Sequence, residues 1–110
     1  MTDTIREQDG NLIVELEGEV DLSRAPELRR MLLDCVARGR DVIVDLSRVS
    51  YIDSAGIASL VEALQLAGKN AIKFGLVAIS AEALRVFQLA RLDKVFTIHA
   101  DLDAALSGAE

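Results

Sequence analysis

The sequence predicts a single α/β domain over residues 1–110, a mixed, mostly parallel sheet with helices packed on it. Three observations carry that expectation. An Asp9-Gly10-Asn11 turn near the start reads as a hairpin, three strand-helix-strand passages follow it, and Val42, Ile43 and Val44 form an uninterrupted apolar run. Hairpins make antiparallel neighbours, whereas strand-helix-strand units close through right-handed crossovers into parallel ones. A run without polar alternation suits a strand covered on both faces. With 110 residues, 51% of them apolar, the chain fits one core.

Taken in order, residues 4–8 read as a first strand, and Asp-Gly supplies the positive φ that a tight hairpin needs. In the second strand Leu12, Val14 and Leu16 alternate with Ile13, Glu15 and Glu17, which predicts a half-exposed element. Gly18 to Ser23 is then an exit loop holding Asp21, with Ser23 as candidate cap and Pro26 in the first helical turn. That helix carries Leu28, Met31, Leu32, Cys35 and Val36 on one stripe and stops at Gly39, so Cys35 reads as a core residue.

The central strand is expected to end at Asp45. A loop over 46–50 and a short extended piece at Tyr51-Ile52 then lead to a helix capped by Asp53 or Ser54. Ile57, Leu60, Val61 and Leu64 have the spacing of one helix face and form its core stripe, continued by Ala67 and Gly68. Ala55, Ser59, Glu62 and Leu66 fall on the opposite side. Such a small-residue face lets another protein approach closely, and it is equally an ordinary exposed helix face.

Lys69-Asn70 turns the chain into a strand over Ile72 to Ile79, in which Gly75 marks a close approach. Ser80 caps a helix from about Ala81 to Arg91 centred on Leu84 and Phe87, and Val95 to Ile98 is the last strand. Asp101 caps a final turn carrying Leu102, Ala105 and Leu106, and the tail from Ser107 should fray.

Several function classes are disfavoured. One cysteine permits no internal disulfide, which agrees with a reducing, cytoplasmic setting. The polar start and the lack of a span-length apolar stretch indicate neither secretion nor membrane insertion. A net charge of −6 argues against nucleic acid as a partner. Ile52-Asp53-Ser54-Ala55-Gly56 lacks the first glycine of a hydrolase G-x-S-x-G turn, and His99, the single histidine, lies at the end of the last strand. There is no zinc-ligand spacing and no phosphate-binding glycine loop, and an Asp53 phosphoacceptor would want further acidic residues after the first strand. No enzyme activity, cofactor or metal is expected. Asp21 and Asp53 both follow strands and are expected to share a rim, where a phosphate on Ser54 would meet the positive end of a helix dipole.

The segment Asp45-Leu46-Ser47-Arg48-Val49-Ser50-Tyr51-Ile52-Asp53-Ser54-Ala55-Gly56 resembles the STAS domain family, specifically bacterial anti-sigma factor antagonists. Gly18-Glu19-Val20-Asp21 with Ala25-Pro26-Glu27-Leu28 resembles the family's first loop and helix, and Leu92-Asp93-Lys94-Val95-Phe96 its last strand entry. The resemblance implies a STAS-like fold and a serine after the motif aspartate, here Ser54, that a partner kinase phosphorylates. That kinase is itself often the anti-sigma factor; the unphosphorylated form binds it and displaces its client, and a phosphatase restores binding. Asp21 and Asp53 match positions at this contact surface, and Gly56 matches the glycine that keeps the helix start uncrowded. With the small-residue face added, the expected partner surface is Asp21, Asp53, Ser54, Ala55, Gly56, Ser59, Glu62 and Leu66. Ala55 replaces a second small hydroxyl residue common in close relatives, and Ala90-Arg91 replaces a small or glycine-containing pair. The competing role is a constitutive scaffold subunit of a transporter or larger signalling complex, with Ser54 only a cap.

Overall fold

The computed structural model describes residues 3–107. In chain order the elements are β1 (Thr4–Gln8), β2 (Asn11–Val20), α1 (Ala25–Ala37), β3 (Val42–Ile52), α2 (Ser54–Lys69), β4 (Phe74–Val77), α3 (Ala81–Leu89), β5 (Thr97–His99) and α4 (Leu102–Leu106). The strands lie side by side in that same order, β1 antiparallel to β2 and every later pair parallel. This is the α/β class the sequence predicts. Successive crossovers of one hand, all stepping the same way, put α1, α2 and α3 on one face of the sheet.

Side-chain alternation along the strands divides the core accordingly. Val14, Val44 and Leu76 point to the helix layer and meet Leu32, Leu60 and Phe87 of α1, α2 and α3. Ile13, Ile43 and Val77 point the other way, under Leu102, Ala105 and Leu106 on and around α4. Val42, Ile43 and Val44 are thus buried on both faces, as their apolar run implies. Ile13 corrects the half-exposed reading of β2, since its residual exposure is 0%. Its cover comes from the far end of the chain, which local alternation cannot register.

The hairpin forms on Asp9 (φ 52) and Gly10 (φ 80), between the paired Gln8 and Asn11. Positive φ at both turn residues matches the twist of the flanking strands. Ser80 and Asp101 cap their helices by accepting from the Ala83 and Ala104 amides. Ser23 does not cap α1. Arg24 holds that position without a side-chain bond, while the Ser23 hydroxyl donates to Asp21.

The main correction concerns residues 46–50, which are strand and not loop. β3 runs unbroken from Val42 to Ile52 beside an equally extended β2. Between the pairs Glu15↔Asp45 and Glu17↔Arg48, and again between Gly18↔Val49 and Glu19↔Tyr51, β3 spends one residue more than β2. Each surplus is a bulge, which breaks the period-2 pattern that strand recognition relies on.

Smaller differences follow from single residues. β4 stops at Val77 because Ala78 turns to φ 57, so the strand does not reach Ile79. Gly75 is not forced by crowding, as a Cβ there would meet its first neighbour, His99, at 3.5 Å, an ordinary contact. α3 ends at Leu89 short of Arg91, and its buried residues are Ala83 and Phe87, with Leu84 half-buried. β5 begins only at Thr97 because the amides of Val95 and Phe96 fold back onto the Leu92 carbonyl. Of the tail expected to fray, residues 108–110 lie outside the described residues. Cys35 is 0% exposed, and burial pushes its thiol pKa up, so it serves as core.

Phe87 is fully buried and packs edge-on to Phe96, with centroids 5.5 Å apart and planes at 75°. Phe87→Ala is expected to cost about 3–5 kcal/mol in urea unfolding, the range for truncating a core aromatic. A loss below about 1 kcal/mol would show that α3 is not anchored this way.

Candidate functional site

The carboxyl ends of β2 and β3 bring the Asp21 loop and the Asp53 turn together. The Asp53 amide donates to the Val20 carbonyl at 3.2 Å. Its carboxylate then accepts from three backbone amides. Oδ1 accepts from the Ala55 and Gly56 amides, each at 3.0 Å, which caps α2. Oδ2 accepts from the Leu22 amide at 3.0 Å, which ties the loop after β2 to the start of α2. A charged acceptor makes such bonds stronger than neutral ones.

Gly56 makes the approach possible. A Cβ there would sit 2.5 Å from the Val20 carbonyl oxygen and 2.8 Å from its Cγ1, so space, not backbone conformation, requires glycine. Asp21 folds its own loop, with Oδ1 accepting from the Ser23 amide at 3.1 Å and hydroxyl at 2.6 Å. The Ser23 hydroxyl bond is the largest cause holding the Asp21 carboxyl below its ordinary value of 3.8. Asp21 is therefore negative at neutral pH.

Ser54 is the first residue of α2 and exposed. Of the two candidate caps, Asp53 takes the position, and the Ser54 hydroxyl is left out of capping. Beside it lies an apolar groove between α2 and α3, lined by Ile57, Ala58, Val61, Val86 and Leu92. Two exposed side chains missed by sequence reading lie near the strand ends, Leu22 at 71% exposure in the loop after β2, and Tyr51 at 51% on the face of the sheet away from α1, α2 and α3. Leu22 sits in a loop, where a lone apolar residue carries no periodic signal. Tyr51 faces out because of the second β3 bulge.

The stripe Ala55, Ser59, Glu62 and Leu66 is not an open face opposite the core. α2 is the middle helix of its layer and buries a flank against α1 as well as its underside. Ser59 is 4% exposed and donates to the Ala25 carbonyl at 3.2 Å, while Glu62 pairs with Arg29 of α1. Ala55, Ser59 and Glu62 instead line a groove with Pro26 and Arg29, and Leu66 packs against the core. The small residues let two helices approach. The solvent side of α2 is Ser54, Ala58, Glu62, Gln65 and Lys69.

His99 lines a separate pocket with Gly75 and Thr97, so a Ser54–His99 pairing is not assembled. Among the described residues, no group of three or more His, Cys, Asp or Glu side chains is placed to hold a metal ion. No helix among them is long and apolar enough to cross a membrane.

The sequence model of the STAS domain matches residues 4–105. The chain is 31% identical over 109 residues to the anti-sigma-F factor antagonist RsfB of Mycobacterium tuberculosis, covering 98% of this chain and 88% of that one. It superposes on the crystal structure of an anti-sigma factor antagonist from Mycobacterium paratuberculosis with a TM-score of 0.89 and 32% identity, covering 97% and 92% of the two chains. It also shares its fold with the phosphorylated form of the Bacillus cell fate determinant SpoIIAA, at TM-score 0.73, 18% identity and 99% and 100% coverage.

Asp53→Ala is expected to lower stability by about 2 kcal/mol, the upper end for a helix cap, because the Leu22 amide loses its partner too. Asp53→Asn keeps one capping oxygen and should lose less. Equal losses for the two variants in urea unfolding would contradict the cap bonds to Ala55 and Gly56, and an unchanged stability of Asp53→Asn would contradict the bond to Leu22. Gly56→Ala should cost about 1–3 kcal/mol through overpacking against Val20, and an unchanged unfolding midpoint would disprove that contact.

Asp21 allows a pH test. Because its folded carboxyl lies below the ordinary value, the stability it contributes is complete above that value and fades as pH falls through the folded pKa. Ser23→Ala should raise the Asp21 pKa toward 3.8 in a carboxyl-carbon NMR titration. No change would remove the hydroxyl as the principal cause.

Proposed function

This chain belongs to the STAS domain family, and we propose that within it the chain is an anti-sigma factor antagonist switched by phosphorylation of Ser54. Unphosphorylated, it binds a serine-protein kinase that is also the anti-sigma factor, and so frees that protein's client. Phosphorylated, it no longer binds until a phosphatase restores the hydroxyl. The names of its relatives support the general role.

One observation carries the switch. Asp53 caps α2, so Ser54 stands exposed at the helix start with its hydroxyl outside the cap. A phosphate adds roughly −1.5 to −2 charge there. The helix start tolerates it within the fold, while it joins Asp21 and Asp53 in a rim that is already acidic, on a chain of net charge −6. It would also stand at the mouth of the apolar groove between α2 and α3. A partner seated over both would have to strip water from the phosphate, which is costly without a matching cation.

The proposed contact surface is Asp21, Ser54 and the exposed sides of Ala55 and Glu62, with Leu22 as an apolar addition. Asp53, Gly56, Ser59 and Leu66 act from beneath it by placing α2. The role is binding, not catalysis, and its setting is the cytoplasm.

The test is a pull-down from native extract with wild type, Ser54→Ala and Ser54→Asp, followed by mass spectrometry of the bound proteins and of residue 54. The expected result is a kinase-fold anti-sigma factor on wild type and Ser54→Ala, its loss from Ser54→Asp, and phosphate on wild-type Ser54. Retention of one membrane-transport complex by all three, without phosphate, would replace the switch with a constitutive scaffold.

A further inference from the structure

The face of the sheet away from α1, α2 and α3 is covered only in part, because α4 has five residues. Where that cover ends, a cavity of about 230 Å³ opens around the start of β3 and β4. It lies at the other end of β3 from Asp53, and Ser54 is not among its lining residues. Its volume is below the roughly 300–1,000 Å³ typical of sites for drug-sized ligands, so an occupant must be small.

The lining has two characters. Ile43 and Ala105 supply an apolar wall. Asp41, Lys73 and His99 supply an anion, a cation and an imidazole. Asp41 Oδ1 is taken by the Lys73 amide at 2.9 Å, which fixes the carboxylate in place and leaves its second oxygen available. Lys73 is exposed, lines the cavity and takes part in no ion pair among the described residues. Opposite charges on one small concave surface beside an apolar wall fit a molecule carrying both charges and an apolar arm.

Gly75 provides the room. A Cβ there would point among the side chain of His99 and the carbonyl of Thr97, with nothing nearer than 3.5 Å. The backbone does not need glycine at this position, as its φ is not positive. What glycine leaves free is cavity.

We propose that this cavity is a second binding site, for a small zwitterion of the α-amino-acid class with an apolar side chain. The ligand's ammonium faces Asp41, its carboxylate faces Lys73 and His99, and its side chain lies over Ile43 and Gly75. This site is independent of the switch at Ser54.

L-leucine is the probe, titrated into the ¹⁵N-labelled full chain and followed by amide shifts, with 4-methylpentanoate and isopentylamine as probes that each keep the side chain and one of the two charges. Leucine should give saturable shifts at Gly75, Thr97 and His99 with a Kd of about 1 mM or tighter, and each single-charge probe should bind at least about tenfold more weakly. Gly75→Ala, which the spacing allows to fold, should abolish the leucine shifts while leaving the rest of the spectrum in place. Lys73→Gln should weaken leucine at least about tenfold and leave isopentylamine unaffected. Absence of saturable shifts in wild type, leucine binding unchanged by Gly75→Ala, or 4-methylpentanoate binding as tightly as leucine would each overturn the assignment.

Discussion

The carboxylate of Asp53 is the constraint on which the site depends. Three amides, of Leu22, Ala55 and Gly56, converge on its two oxygens. Two of those belong to a helix start whose N–H groups would otherwise lack partners, and the third belongs to a loop more than thirty residues earlier in the chain. The bond to the loop forms only if α2 begins hard against the end of β2. That contact in turn admits no side chain at Gly56. Because the aspartate meets the needs of the helix start, the neighbouring serine is not needed as a cap. A residue that would ordinarily be read as structural is thereby left available for chemistry.

The layers on either side of the sheet are unequal, and the inequality separates two kinds of surface. On one face, α1 and α2 pack closely where Ser59 meets the Ala25 carbonyl, an apolar groove separates α2 from α3, and Phe87 closes the core against Phe96. The exposed features there are at the rim and along the tops of the helices. On the other face, α4 shields Ile13, Ile43 and Val77 and leaves Gly75 and Thr97 beside an opening. β3 connects the two regions, entering beside the cavity at Val42 and ending at Ile52, one residue before Asp53.

Much of this was legible in the sequence because the relevant signals are local. The Asp9-Gly10 hairpin, the doubly buried Val42–Val44 run, the Ser80 and Asp101 caps and the approach of Asp21 to Asp53 all follow from residue type and short spacing. Features set by distant parts of the chain were not legible. Ile13 is buried by α4, and the Ala55, Ser59, Glu62 and Leu66 stripe is turned toward α1 because of where α2 lies in its layer. The bulges in β3 hid a continuous strand and turned Tyr51 outward, since each inserted residue reverses the inside-outside order that a period-2 pattern assumes. At the site, the order of Asp53 and Ser54 could be read, but not which of them caps. That depends on the Leu22 amide reaching across from the other loop.

The most direct measurement is amide hydrogen exchange on the chain carrying genetically encoded phosphoserine at position 54, compared with the unmodified chain. If phosphorylation acts at the surface of an unchanged fold, the Leu22, Ala55 and Gly56 amides stay as protected as before, and altered exchange is confined to the rim around Ser54. If the phosphate instead displaces the Asp53 carboxylate, Leu22 loses protection and the loop after β2 separates from α2. That result would contradict a switch that works through surface charge alone.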